Sequence, residues 1–478
     1  MYFIIIVILT ALIMLLLKTF KYRKTFPVHC ETISVDLADE TKNKLKKAIQ
    51  IKSISHNDYS KNDINEFVKI SSFIECNYPL LFSELEIESL NAYSQIIKWP
   101  GKNQDLKPVL LISHFDVVPV VEKNWSVPPF EGVEKDGFIW GRGALDTKNT
   151  LTAILESADS LLLDGFKPER TIYMAFGGDE ETQGTEGAGK ICTYFEKENL
   201  EFEWLLDEGG IVAEDSISMV KRPLALIGVS EKGFVNIRIT SEAKSGHSSM
   251  PPAHSAAGII AKAVTEVENH PFPAKITPTL SAFLFGITPY VSFPISVVLA
   301  NHKIFAPLIK MLFLKSDTSA ALLRTTQAVT ILRSGIKENV LPSEGEAIVN
   351  IRILPGETVE STIKRIKKLL RNFPVKVDVA DYNDSNDPIR ESSLNSTGYG
   401  AVCNAIEKVF PKAVTVPYMM TGATDSKHYK TICRDIYRFS PMSLNSKELA
   451  LIHSADERIS FENYAKSISF YKILIKNM

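Results

Sequence analysis

The chain has 478 residues, enough for two domains plus a short appendage and too many for one ordinary core. A hydrophobic content of 45% and a charged content of 23% exclude a mainly disordered chain, and a formal net charge of -2 excludes bulk electrostatic attraction to nucleic acid. The five cysteines, Cys30, Cys76, Cys192, Cys403 and Cys433, form no CxxC pair, and their odd number speaks against a disulfide framework; one bridge stays open in an oxidising compartment.

Met1 to Leu17 is almost wholly apolar, and Lys18, Lys21, Arg23 and Lys24 follow it. At about 1.5 Å per residue this run is short for a bilayer crossing, but Phe20 and Tyr22 extend it into the interface. No basic residue precedes the run and no small-x-small cleavage site closes it. The expectation is an uncleaved single-pass membrane anchor over residues 1–24. The alternatives are a cleaved signal peptide with secretion and a buried helix of the fold. The basic flank favours a cytosolic body, though for a single span the side stays open.

Val35 to Lys52 is Lys-rich and amphipathic and predicts a helix. From Lys107 the texture changes to short apolar runs alternating with helical segments. Pro108 to Ile112, Arg170 to Phe176 and Phe202 to Leu206 read as strands, and Asn149 to Leu163 as a helix. Such alternation predicts an α/β domain with a mostly parallel sheet. After Gly228, Phe234 to Ile239 and Ala347 to Ile353 alternate in and out, with helices over Ala256 to Glu268 and Val359 to Arg371 and a further strand over Val375 to Val379. These predict a smaller α+β domain whose antiparallel sheet is exposed on one face. The expected division is residues 25–228 and 385–478 for the first domain and 229–384 for the second. An apolar insertion over 277–327 is expected to pack on its host domain or at a dimer contact, or to form an apolar wall near substrate or membrane.

Five clusters carry chemistry. His114 and Asp116 follow a buried strand and, two residues apart, point the same way; Asp116 can orient the imaidazole of a metal-binding histidine through its second ring nitrogen. Asp146 follows Trp140-Gly-Arg-Gly143 and precedes a helix, at the mouth of a parallel sheet or as a helix cap. Glu180 and Glu181, in Gly-Gly-Asp-Glu-Glu, form an acidic pair that needs a cation if buried. Asp207 and Glu208 form another such pair after an apolar run, and His453 sits ahead of a further acidic stretch. Two imidazoles and several carboxylates suit Zn²⁺ in open, catalytic geometry, and two such ions can share a carboxylate.

The ordered set SHFDVVPV, WGRGALDTKNT, GGDEETQG, LLDEGG, SGHSSMPP, NVLPSEGEAIVNIRILPGE, TGATDSKHY and IHSADERI resembles the co-catalytic di-zinc peptidases, which include aminoacylase, glutamate carboxypeptidase and succinyl-diaminopimelate desuccinylase. Its texture is most similar to the branch of carboxypeptidase S and the N-fatty-acyl-amino-acid hydrolases. The resemblance runs from about Val35 to the C-terminus. It implies a zinc-peptidase catalytic domain interrupted by a lid domain that can form a homodimer, with two Zn²⁺ per subunit. It implies His114 and His453 as ligands of the two ions, Asp146 as their bridge, and Glu181 and Asp207 as the remaining metal ligands, with Glu208 as the alternative to Asp207. Glu180 would be the general base, Asp116 the partner of His114, and His247 a lid group that polarises the scissile carbonyl, often across a dimer. Asn339, Arg352, Gly422 and Thr424 would hold substrate, with Asp425 beside them. Thr147, Gly178 and Thr182-Gln183 depart from the usual pattern without removing a ligand, which leaves substrate preference the most open.

The implied reaction is hydrolysis of a C-terminal peptide bond or of the amide of an N-acyl amino acid, by a metal-bound hydroxide with a Glu base. Arg352 would grip the free carboxylate. The alternatives are a membrane-anchored, non-catalytic binding protein and a synthase running the reaction in reverse. The expected partners are a small peptide or N-acyl amino acid, a second copy of the chain and a membrane, and no nucleic acid.

Overall fold

Two six-residue runs, Val109–His114 and Ile172–Gly177, are buried at every position, as strands covered on both faces must be. In the computed structural model, which describes residues 2–23, 37–215, 217, 219–381 and 385–478, they lie side by side at the centre of a ten-stranded sheet. Lys24, Cys30, Val35 and the boundary residues 25 and 384 lie outside the described residues.

In chain order the main strands of this sheet are β1 (Glu86–Asn91), β2 (Ser94–Trp99), β3 (Val109–His114), β4 (Ile172–Gly177), β5 (Phe202–Asp207) and β6 (Leu224–Glu231). A second sheet follows, of β7 (Gly233–Glu242), β8 (Thr326–Ser334), β9 (Glu344–Ile353) and β10 (Val375–Val379). The chain then returns to the first sheet with β11 (Val414–Met420) and β12 (Cys433–Arg438). The first sheet runs β1-β2-β4-β3-β5-β12-β6, with β11 also paired to β6 and two short strands, Val212–Ala213 and Ser443–Leu444, beyond it. The sheet is mixed, with a parallel centre and antiparallel pairings toward both sides. Strands β4, β3, β5 and β12 are parallel, whereas β1 and β2 pair antiparallel and so do β12 and β6. The edge pairing follows from chain length: only Ala92 and Tyr93 separate β1 from β2, and a two-residue link permits only an antiparallel hairpin.

The second sheet is antiparallel throughout, in the order β8-β9-β7-β10. Strand β7 alternates as its sequence does, burying Val235, Ile237 and Ile239 against Ile260, Ala263 and Val267 of the helix Ala256–Asn269 and Ile366 of the helix Val359–Leu369. The other face is more open.

Helix α1 (Tyr2–Tyr22) is long and apolar enough to cross a membrane, and a signal sequence would pass the same test. Helix α2 (Lys148–Leu163) packs on the first sheet. The apolar insertion forms α3 (Pro278–Ile287), α4 (Phe293–Ala300) and α5 (Ala306–Phe313). Its core is shared with the first sheet, because Leu280, Phe283, Leu284 and Ile287 pack with Val414 and Val416 of β11. Apolar side chains on both surfaces find each other there, although the insertion lies between strands of the second sheet in sequence. Cys76, Cys192, Cys403 and Cys433 are free thiols.

Candidate active site

The residues singled out as chemical gather where the parallel strands end. Strands β3 and β4 finish flush, His114 opposite Gly177, and β5 finishes at Asp207. The carboxyl ends of parallel strands face a common crevice, so the turns that follow bring Asp116, Glu180, Glu181 and Glu208 to one place. The last of these turns needs glycine: a Cβ on Gly210 would lie 1.8 Å from the Leu226 carbonyl oxygen.

Asp146 stands at the centre. Its Oδ1 lies 3.1 Å from His114 Nε2, and its Oδ2 lies 2.8 Å from His453 Nε2. Glu208 Oε1 lies 3.2 Å from the same His114 nitrogen, and Glu181 Oε1 lies 3.0 Å from that of His453. Glu180 joins His114 and Glu208 in a cluster whose ligand atoms fall within 4.8 Å of one another. One imidazole and one carboxylate thus flank each oxygen of Asp146, a donor set that fits two divalent cations sharing a carboxylate.

Asp116 orients the first imidazole. His114 Nδ1 donates toward the Asp116 carbonyl oxygen at 3.1 Å and lies 3.3 Å from its Oδ1. The Asp116 carboxylate accepts from Ser55 Oγ and from the backbone N–H groups of Glu180 and Glu181, which fixes the acidic turn to the histidine strand. Asp179, between the glycines and the glutamates, faces the other way and accepts from Tyr59 Oη and the N–H groups of Glu186 and Gly187.

Asp207 is not among the clustered groups. It is paired in register with Arg438, and its carboxylate accepts from the N–H of Ser426 at 3.0 Å and of Glu208 at 2.8 Å. Its neighbours are a buried layer formed by Arg438 and Glu231, 2.9 Å apart and both fully buried, with Thr424 3.4 Å from Glu231. Glu208, one residue on, supplies the oxygen beside His114. Thr424 therefore belongs to this buried layer, while Gly422 is exposed.

His247 and Asn339 are both exposed: His247 lies in a separate two-stranded sheet, paired with Val340, and Asn339 ends the turn just before that second strand. His247 Nδ1 contacts Ser249 Oγ, and the Asn339 carbonyl oxygen accepts from the Ser248 N–H. Among the described residues these contacts are local and do not join the carboxylate cluster. Arg352, on β9, lies over the Phe234 ring at 4.7 Å.

Two supporting residues escaped the sequence reading. Glu457 is fully buried; its Oε1 accepts from the N–H groups of Leu145 and Asp146, and its Oε2 accepts from Arg142 Nη1 at 2.6 Å. Arg142 Nη2 donates to the His453 carbonyl oxygen at 3.1 Å. This one ion pair ties the Asp146 turn to the His453 loop, where His453 holds a left-handed φ of 61°. Arg142 lay within the WGRG run and Glu457 four residues after His453, so the signal was present without a reason to single them out.

A model of the peptidase family M20/M25/M40 matches residues 110–477. The chain belongs to the M20 family. It is 36% identical to a probable carboxypeptidase S-like protein of Dictyostelium discoideum, covering 98% of this chain and 92% of that one. It is 35% identical to a human N-fatty-acyl-amino acid synthase/hydrolase, covering 91% of this chain and 87% of that one. Among solved structures, an M20 family metallo-carboxypeptidase of Sulfolobus solfataricus superposes with a TM-score of 0.67 at 20% identity, over 92% of this chain and 99% of that one, a likeness of fold. As an M20 enzyme the chain is a metal-dependent peptidase or amidohydrolase, with carboxypeptidase and N-acyl amino acid hydrolase homologues.

The electrostatics suit a site that takes up cations. Burial pushes Glu208 up to about 8, and burial with the neighbouring carboxylates pushes Glu180 well above the usual range. Asp146 and Glu181 raise His453 to about 10. Burial opposes charge on His114, but Glu208, Asp116 and Asp146 outweigh it and raise that pKa too. Burial likewise acts against Asp146, yet the two imidazoles hold its carboxyl far below the ordinary value.

Two outcomes follow. Glu457→Gln should weaken metal affinity by about 10–100-fold while circular dichroism stays native, measured by competition with a chelating indicator; unchanged affinity would detach Glu457 from the site. Metal-stripped protein at pH 7 should release protons on adding Zn²⁺, because Glu208 and His453 hold protons there and ligation requires both groups without them. Calorimetry in two buffers of different ionisation heat measures the release. It should shrink as pH passes about 8 and again about 10.

Proposed function

We propose that this M20 enzyme is a di-zinc amidohydrolase, tethered to a membrane by α1, that cleaves the amide of N-acyl amino acids or a C-terminal peptide bond. The observation that carries it is Asp146, with one oxygen toward each imidazole. His114 and Glu208 would hold one Zn²⁺, His453 and Glu181 the other, with Asp146 shared. Ions bound there would supply Lewis acidity to the scissile carbonyl and lower the pKa of water. Glu180, beside His114 and Glu208 and not engaged by either imidazole, is the general base: it takes the proton from the attacking water and delivers it to the leaving nitrogen. Asp116 keeps His114 in the tautomer that presents Nε2.

The lid would supply the rest. Arg352 is a bidentate partner for the free carboxylate, and Asn339 and His247 would reach substrate by domain closure or from a second copy, which accounts for their exposure in a single open chain. Hydrolysis and synthesis share these residues, so the direction follows concentrations.

An apolar seam lined by Leu280, Phe283, Leu322, Tyr418 and Met419 would take the acyl chain; it is too narrow for one as it stands and would have to part to admit it. It borders the end of β11, and the next residue, Met420, packs over Gly209 beside Glu208.

Glu180→Gln should lower kcat by about 10²–10⁴-fold with two metal equivalents retained by elemental analysis; near-normal turnover would remove Glu180 from the base role. Across a series of N-acyl amino acids that are monomeric in water, with no bilayer present, kcat/KM should rise with chain length by up to ~4-fold per methylene until the opened seam is filled, from about 0.8 kcal/mol per buried CH₂. Equal values for acetyl and long-chain substrates would defeat the acyl-chain assignment and leave the amidase chemistry standing.

A further inference from the structure

The insertion has one face left over after it packs on β11. Ile304, Leu308, Met311 and Leu312 are exposed, at spacings i, i+4, i+7 and i+8, which is one side of α5 and the turn before it. Ile309, on the opposite side, is buried. Exposed apolar side chains in such a stripe mark a contact surface.

Two observations say what covers it. The first is continuity with α1. Asn301, just after α4, donates from Nδ2 to the Leu15 carbonyl oxygen and to Thr19 Oγ1, and Thr19 is fully buried. Tyr22 stacks on Phe285 at 4.7 Å, and Phe20 meets Phe293 at 5.7 Å. The C-terminal end of α1 is thus seated on the insertion, while the rest of that helix exposes apolar side chains such as Phe3 and Met14. The second is charge. Between Glu268 and Asp317 there is no acidic residue, and Lys303, Lys310 and Lys315 flank the apolar stripe. Amphipathic helices with apolar stripes edged by lysine lie in the interface of anionic bilayers.

We propose that the exposed face of α5 is a second membrane-contact surface, lying in the headgroup region of an anionic bilayer beside the span formed by α1. The proposal rests on the reading of α1 as an anchor and adds an interfacial element to it.

The test uses the full chain reconstituted in phosphatidylcholine vesicles with and without phosphatidylserine. A nitroxide is attached at Met311→Cys or Leu312→Cys, both exposed positions, with Leu163→Cys as the control. The signal of the labelled unsubstituted chain, whose Cys76 is exposed, is subtracted. Labels at 311 and 312 should be more accessible to oxygen than to a water-soluble nickel chelate, more so with phosphatidylserine, and the label at 163 should show the reverse. Aqueous accessibility at 311 and 312 in a chain that floats with the vesicles overturns the proposal and leaves the anchor standing. Dipolar broadening at 311 that persists in detergent assigns the face to a second copy of the chain and also overturns it. Failure of the chain to float overturns both readings.

Discussion

Asp146 faces two histidines at once, one through each oxygen, and most of the site can be understood as what is needed to make that tolerable. Four carboxylates, Asp146, Glu180, Glu181 and Glu208, meet at the ends of buried strands, where removing each from water is costly. Two responses are open to such a cluster: take up protons or take up cations. The raised pKa values of Glu180, Glu181 and Glu208 and the charged tendency of both imidazoles record the first response. A cation pair relieves the same strain while releasing those protons. The site is therefore poised toward positive charge by its own burial, and Asp146 stays ionised because both neighbours stabilise its negative form.

That arrangement requires segments far apart in sequence to be held rigidly, and each junction has its own buried brace. Arg142 and Glu457 tie the Asp146 turn to the His453 loop. Asp116 ties the His114 strand to the acidic turn. Asp207 ties the end of β5 to Ser426, in the loop after β11. Two of the three, Arg142–Glu457 and Asp207–Ser426, link residues before the second sheet to residues after it, which is why the chain must return to the first sheet after completing the second. Truncating one partner of a fully buried pair such as Arg142–Glu457 or Arg438–Glu231 leaves an uncompensated charge, at a cost of roughly 3–5 kcal/mol.

Much of this was legible because the chemical residues sit in short motifs at strand ends, and strand ends can be read from where apolar runs stop. His114, Asp146, Glu180, Glu181 and His453 emerge that way. The choice between Asp207 and Glu208 did not, since it turns on which residue is the last in register. Side chains alternate along a strand, so Asp207, opposite Arg438, faces the lower layer and Glu208 faces the crevice. Arg142 and Glu457 were invisible for a different reason: an isolated arginine and glutamate 315 positions apart give no hint of pairing. The mixed character of the sheet was hidden in the Ala92-Tyr93 turn, which looks like any short loop. The insertion was recognised as apolar, but its packing on β11 is decided by tertiary surface matching that periodicity does not encode.

The insertion also changes how substrate access is understood. Its inner helix, α3, packs Leu280 and Phe283 onto β11, whose last residues border the apolar seam and the Glu208 turn. Its outer helix, α5, carries the exposed apolar stripe, and α4 holds the end of α1 through Asn301. A single helical unit therefore has one side against the strand that leads to the carboxylate cluster and the other against the proposed bilayer. An acyl chain dissolved in lipid has already left water and gains little more by entering an apolar pocket, so an enzyme that took such a chain directly from the membrane would gain specificity from proximity more than from depth of pocket. The narrowness of the cleft between α3 and β11 fits that division of labour, with the bilayer concentrating the apolar end and the site recognising the polar one.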